Sequence, residues 1–335
     1  MKKSLLALAA LTAFAGAASA QSSVTLFGIV DLNLRNQDNG SAGSRKSMSQ
    51  DGIASSRLGF RGVEDIGGGM KAGFWLEGAI NPDTGTPGGQ TWQRRSTLSL
   101  MSGVHELRLG RDYAPTFWNH TAYDVFGTNG VGASSNAWSN LGSGATTQIR
   151  VNNSVAYHLN AGGLWVWLMA SAGEAVVGNK YMGGRVNYAA GPLSVGFAYG
   201  KTDIGASPDF KEWNAAASFN AGFATLFLQY SKNDWGAADQ KQFHLGARVP
   251  MGNAALKASF NKWDGNTANR DAKQFALGLD YNLSKRTALY TTYSRLDNGG
   301  STTGGATFVT SGSGPAGIKG GENSTGYEFG IRHSF

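Results

Sequence analysis

The chain has 335 residues, 49 of them glycine and only seven proline, with no cysteine, a formal net charge of +7 and a mean hydropathy of −0.25. This composition excludes a helical membrane protein, which is far more apolar, and a disulfide-stapled secreted scaffold. Glycine in abundance without leucine-rich heptads favours many short strands joined by Gly, Asn, Asp and Ser turns, and the arginines are spread too widely to form a nucleic-acid-binding segment.

The first element is Met1, Lys2 and Lys3 followed by an apolar run from Leu5 to Ala18 and the triplet Ala18-Ser19-Ala20. Two lysines, a short apolar stretch and small residues make a cleavable secretory signal over 1–20, because the run falls short of the roughly 20 apolar residues a spanning helix needs. The mature chain is expected to begin at Gln21 and, two lysines fewer, to carry +5.

From Gln21 onward sixteen segments alternate apolar and polar side chains, each taking roughly 20 residues with its connection. Their spans are 23–35, 50–63, 68–80, 91–102, 105–111, 146–158, 164–172, 181–189, 193–202, 211–219, 222–232, 240–249, 254–263, 272–281, 286–296 and 325–335. Tight connections such as Gly103-Val104 and Met251–Asn253 alternate with long ones at 36–49, 81–90, 112–145, 233–239 and 297–324. An antiparallel barrel with lipid outside, water inside, short turns at one rim and longer loops at the other produces this rhythm. The last strand shows the pattern most plainly: Tyr327, Phe329, Ile331 and Phe335 share one face, and Glu328, Gly330, Arg332 and Ser334 the other. Alone, such a segment is more often an amphipathic strand of a soluble sandwich; the rest of the chain decides between them.

Connection 112–145 carries Tyr113, Phe117, Trp118, Tyr123, Phe126 and Trp138. Loops this long are functional or disordered, and disordered ones are poor in aromatics. The segment is therefore expected to be ordered and packed against the barrel interior. Other aromatics suit girdles at the two membrane interfaces; Trp165, Trp167, Trp213, Trp235 and Trp263 could instead form a sugar-stacking path.

Because successive strand side chains point to opposite faces, the apolar positions assign the charges. Leu58 and Phe60 outward put Arg57 and Arg61 inside; Phe74 and Leu76 put Lys71, Trp75 and Glu77 inside. Leu98 and Leu100 send Arg95 inward and Arg94 outward or to the rim. The same parity places Glu106 and Arg108, then Arg150, Asn152 and His158, in the lumen, with Ile149, Val151, Val155 and Tyr157 facing lipid. Arg35, Arg185 and Arg248 join the inward set, with acids Asp31, Asp280 and Glu328, and Asp112 and Asp124 available from the loop.

The stretches VTLFGIVD at 24–31, SSRLGFRGVEDIGGGMKAGFWLE at 55–77, LRLGRDYAP at 107–115 and the terminal GYEFGIRHSF resemble the general diffusion porins of Gram-negative bacteria, in their betaproteobacterial branch. The resemblance covers essentially the whole mature chain. It implies an all-β, 16-stranded antiparallel transmembrane barrel over 21–335, a homotrimer in the outer membrane among lipid and lipopolysaccharide, and a third loop folded inward as a constriction, the place taken here by 112–145. It also implies that the C-terminal strand, with Tyr327, Phe329, Ile331 and Phe335, is the signal read by the barrel-assembly machinery.

Arg57, Arg95 and Arg150, at similar mid-strand depth on one wall, would meet that loop across the pore. Fixed arginines favour anions in pores, and low-dielectric walls focus their field. Glu77 with Asp124 or Asp112 would hold the guanidiniums in place, unless Glu77 pairs with Lys71 along its own strand. Arg35, Arg61, Lys71, Arg108 and Arg185 line the remaining lumen. The expected function is a passive, anion-selective channel for small hydrophilic solutes, with small anions as its traffic and no nucleic acid. The rival readings are a substrate-specific channel for organic anions and a plugged barrel acting as an adhesin or structural anchor. Catalysis is not expected: His105, His120, His158, His244 and His333 show no metal-ligand spacing, and there is no GxSxG elbow, nucleophilic cysteine or cofactor motif.

Overall fold

The computed structural model describes residues 23–89, 91–266, 271–299 and 314–335; the expected signal segment 1–20, the mature start at Gln21 and much of the expected connection 297–324 lie outside them. The strand segments in chain order are β1 (Ser23–Asp38), β2 (Ser44–Gln50), β3 (Arg57–Gly67), β4 (Met70–Asn81), β5 (Thr86–Pro87), β6 (Arg95–Ser102), β7 (His105–Tyr113), β8 (Arg150–Ala161) and β9 (Leu164–Ser171). They continue as β10 (Tyr181–Ala190), β11 (Leu193–Thr202), β12 (Phe210–Asn220), β13 (Thr225–Trp235), β14 (Ala238–Met251), β15 (Ala254–Gly265), β16 (Ala272–Asn282), β17 (Thr287–Asn298) and β18 (Asn323–Ser334). β2 and β3 both pair with β1 and form one stave broken at 51–56, while β5 pairs only with the end of β4. Sixteen antiparallel staves result.

β1 pairs with β18 over ten residues, from Ile29 with Ser334 to Asp38 with Thr325, so the sheet closes on itself. Gly28 and Phe335 exchange backbone hydrogen bonds of 3.1 and 3.0 Å at the seam. Closure leaves no edge, which is what a sheet in hydrocarbon requires. The outer face is apolar and uncovered: Leu98, Leu168, Leu228, Leu245 and Phe329 are all exposed. An aromatic row crosses it in register, through Tyr199 and Trp213, Tyr230 and Phe243, and Phe260 and Phe275.

The tight turns lie at the rim that holds both ends of the described barrel. Gly162 and Gly163 make one of them with positive φ (57° and 86°), the backbone that two-residue hairpins need. At the opposite rim two expected loops are shorter than expected. The chain reverses at 39–43, because Ser44–Gln50 is a strand whose only apolar residue is Met48, and β13 and β14 are joined by Gly236-Ala237 alone. The expected strand 91–102 begins only at Arg95, and 146–158 only at Arg150.

One expected parity is reversed. Between Gly110–Ser154 and Asp112–Val151 the register shifts, with Asn153 at φ 52° supplying the extra residue of a bulge. Val151 consequently faces inward, fully buried with Ala114, Ala156, Trp167, Met169 and Tyr181, whereas Asn152 faces outward and bonds Arg111. Trp167 and Trp263 are likewise buried on the inner face.

Residues 114–149 lie against side chains of the barrel wall. Pro115–Ala122 is a helix with proline in its first turn, where no backbone donor is lost. Phe117 stacks between Tyr113 and Trp138, and Trp138 lies flat on His120, with centroids 4.5 Å apart. Uncharged amides of the wall hold the segment: Gln274 donates to the Val131 carbonyl at 2.8 Å, Gln242 to Ser134 at 2.7 Å, Gln240 to Ala137 at 2.9 Å and Asn233 to Ser139 at 2.7 Å. Gly130, at φ 66°, passes so close to the Gly52 carbonyl and the Glu328 carboxylate that any Cβ would strike both.

Asp124 organises the segment from within. Its carboxylate accepts from the backbone N–H groups of Phe126, Thr128 and Ser134 at 2.9 Å each and from the Ser134 hydroxyl at 2.8 Å. The Ser134 oxygen in turn accepts from His120 Nε2 at 2.8 Å, leaving Nδ1 to accept from Gln229 at 2.9 Å. The ring is thus neutral, and burial pushes its pKa down to about 4. Between pH 6.5 and about 4 the unfolded chain binds a proton that the folded chain does not. Stability therefore falls as pH drops through that window, by up to about 3 kcal/mol, and levels off below it. The thermal midpoint in detergent is expected to drop between pH 7 and pH 4.5, and to drop clearly less in His120→Gln; an equal drop in both would show that the ring carries no such linkage.

Candidate functional site

The wall formed by β3, β4, β6, β7 and β8 carries the charges. Arg57, Arg95 and Arg150 each open a strand, at the level where the loop leaves the wall, and not in mid-strand as the sequence suggested. Glu77 sits between two guanidiniums: Arg94 Nε donates to its Oε1 at 2.6 Å and Arg57 lies 3.4 Å away, while Trp75 Nε1 donates to Oε2 at 3.1 Å. Lys71, on the same strand, is exposed and takes no part.

Arg94 is the residue that parity misplaced. It precedes β6, so strand alternation does not apply to it, and its side chain turns inward and is 7% exposed. Its second nitrogen donates to the Tyr113 hydroxyl at 2.8 Å. Arg150 donates to the same oxygen at 2.9 Å and to the Arg94 carbonyl at 2.9 Å, with its guanidinium 4.4 Å from the Tyr113 ring centroid. A ladder Arg57, Glu77, Arg94, Tyr113, Arg150 results. Among the described residues Arg150 has no carboxylate within ion-pair distance; a phenol oxygen and a ring face fix it instead.

Arg95 belongs to an adjoining group. Its Nε lies 3.6 Å from Asp112, and its guanidinium rests 4.5 Å over Trp75. Asp112 also accepts from Arg108 at 2.7 Å, and Arg108 is gripped by Glu106 at 2.8 Å. Five arginines thus face three carboxylates, Glu77, Glu106 and Asp112, leaving an excess of positive charge. Asp112 meets the arginines as expected. Asp124 does not: its oxygens are taken by the loop backbone.

The other expected residues are spread along the lumen. Arg61 lies 5.4 and 5.1 Å from the ring centroids of Phe27 and Trp75. Arg35 is buried against Glu328 at 2.8 Å, beside the loop at Val131. Arg185 is buried on β10 and donates to Asn119 of the helix at 2.8 Å. Tyr327, Phe329, Ile331 and Phe335 form an exposed apolar stripe on the outside. Sequence reasoning missed Lys257, an inward cation paired with Asp280 at 2.9 Å and placed 4.9 Å from the Phe126 ring centroid; the alternation of β15 would have marked it. Outside the strands, burial pushes the Asp51 carboxyl up, although it accepts the Ser56 N–H.

Glu77→Gln keeps the shape of the side chain but takes from Arg94 and Arg57 the carboxylate they share, leaving Tyr113 and the Ser55 carbonyl as their remaining partners. Unfolding in urea is expected to show a loss of about 3 kcal/mol, as for other broken buried pairs. Glu77→Asp is expected to retain part of that stability; an unchanged midpoint in Glu77→Gln would mean the ladder does not depend on the carboxylate.

A family model described as Gram-negative porin matches residues 7–301. The chain is 42% identical to outer membrane porin protein 32 of Delftia acidovorans over the whole of both chains, and 28% identical to an outer membrane porin protein of Bordetella pertussis over 87% of this chain and 93% of that one. The fold is similar to that of an anion-selective porin from Comamonas acidovorans, with a TM-score of 0.83 at 37% identity over 94% of this chain and all of that one. OmpT of Vibrio cholerae shares the barrel at a TM-score of 0.69 and 16% identity, over 95% of this chain and 99% of that one. A closed sixteen-stave barrel, a charged inner wall and these matches lead to one conclusion: the chain belongs to the Gram-negative porins, channel proteins of the outer membrane.

Proposed function

We propose that this porin is a passive, anion-selective channel in which 114–149 forms the constriction and the ladder from Arg57 to Arg150, with Arg95 beside it, sets the sign of the ions that pass. The observation that carries the reading is the charge imbalance: five guanidiniums against three carboxylates, with Arg150 fixed by Tyr113 and not neutralised. Such charges stay on at any physiological pH and are focused by low-dielectric walls. The porin of similar structure from Comamonas acidovorans is itself described as anion-selective. Size exclusion follows from the amide tethers, which hold the loop without adding charge.

The same reading takes the functional molecule to be a homotrimer standing among lipid and lipopolysaccharide. OmpT of Vibrio cholerae, which shares the barrel, is described in a trimer form. The stripe of Tyr327, Phe329, Ile331 and Phe335 is the assembly signal, exposed where a docking machine reaches it before lipid does.

Reversal potential in a planar bilayer under a potassium chloride gradient tests the selectivity. The parent is expected to prefer chloride. Arg150→Ala is expected to lower the chloride-to-potassium ratio by about tenfold or more at low salt, since one charge at about 5 Å in water favours chloride and disfavours potassium by about 0.8 kcal/mol each, with Arg95→Ala and Arg94→Ala acting in the same direction. A parent that prefers potassium, or a ratio untouched by all three changes, would overturn the arginine filter.

A further inference from the structure

A cavity of about 440 Å³ begins at Arg57, Glu77 and Tyr113 of the ladder and runs along the wall to Leu159 and Trp165 near the tight-turn rim. One register row crosses it on four neighbouring strands: Glu106 of β7 faces His158 of β8, His158 faces Trp167 of β9, and Trp167 faces Arg185 of β10. The imidazole and indole lie against each other with centroids 4.8 Å apart. One pair down, Trp165 points into the lumen and keeps 49% of its surface exposed; Trp118 of the loop helix, 40% exposed, also lines the cavity.

Among the described residues, two groups of this row lack a hydrogen-bond partner inside the protein, and a third is a cation without a carboxylate. Trp167 Nε1 and His158 Nε2 are buried donors or acceptors without a hydrogen bond. The Arg185 guanidinium, 7% exposed, is held by Asn119 and the Tyr123 hydroxyl, with no carboxylate within ion-pair distance among the described residues. A buried cation and two orphaned ring nitrogens are costly unless something anionic visits them. Two indoles left open to water, in a cavity that Trp75, Leu159 and Val166 also line, suit a flat apolar surface.

We propose that this cavity is a transit subsite for planar aromatic carboxylates, the carboxylate meeting Arg185 and the ring nitrogens, the aromatic ring stacking on Trp165 and Trp118. The inference rests on the channel reading and narrows it to a class of permeant. Its mechanism is stacking plus a single charge pair, so it acts on shape as well as sign.

The test is block of single-channel current by benzoate, with cyclohexanecarboxylate as the non-planar acid of equal charge. Benzoate is expected to reduce the open current at concentrations about tenfold lower than cyclohexanecarboxylate, the discrimination one or two stacked rings give. Trp165→Ala is expected to abolish the difference while leaving the potassium chloride reversal potential unchanged, and Arg185→Gln to weaken block by both acids. Equal block by the two acids in the parent, or a difference that survives Trp165→Ala, overturns the subsite. Should Arg185→Gln fail to insert, Trp118→Ala is measured instead, with the preference for benzoate expected to fall as in Trp165→Ala; a preference left whole there also overturns the subsite. The current is scored whichever ion carries it, so a channel that turned out cation-selective would sink the arginine filter and leave the subsite to be judged separately.

Discussion

Hydrocarbon offers a peptide group no hydrogen bond, and an unpaired N–H or C=O within it costs several kcal/mol. Closure of β1 on β18 meets that demand, and nearly everything else is subordinate to it. Once the sheet is a cylinder, each strand must present lipid and water alternately, and the polar half of every strand becomes free to carry function. The outward Leu107 and Leu109 and the inward Glu106 and Arg108 are consequences of the same pleat.

Within the cylinder the two halves of the wall do different work. The half from β3 to β8 carries guanidiniums and carboxylates in contact with one another, fixed by Tyr113 and Trp75 as much as by opposite charge. The half from β12 to β16 carries amides, Asn214, Gln229, Asn233, Gln240, Gln242 and Gln274, each bonded to the loop. Asp124 serves that second task. By capping three N–H groups of its own loop it keeps the segment in a shape whose carbonyls remain free for the wall.

The barrel was legible because its signal is repeated sixteen times. A boundary error in one strand, such as 222–232 for Thr225–Trp235, does not disturb the count. The ionic half was legible wherever alternation holds, which covers Arg57, Glu77, Arg95 and Arg108. It failed at two places where alternation stops. Arg94 lies before its strand, and Asn152 lies at a bulge that the Asn152-Asn153 pair could have announced, asparagine being tolerant of positive φ. The amide half was not legible. An inward glutamine reads as one more wet side chain, and only the loop seated on it reveals which carbonyl it holds.

A tether made of neutral amides has one consequence that an ionic tether would lack. Mobile ions screen charge from charge within a Debye length, yet they leave an amide-to-carbonyl bond nearly untouched. Brackish or dilute surroundings would therefore retune how strongly the bore sorts cations from anions while its gauge stays the same, so sieving by bulk and sorting by sign answer to separate environmental controls.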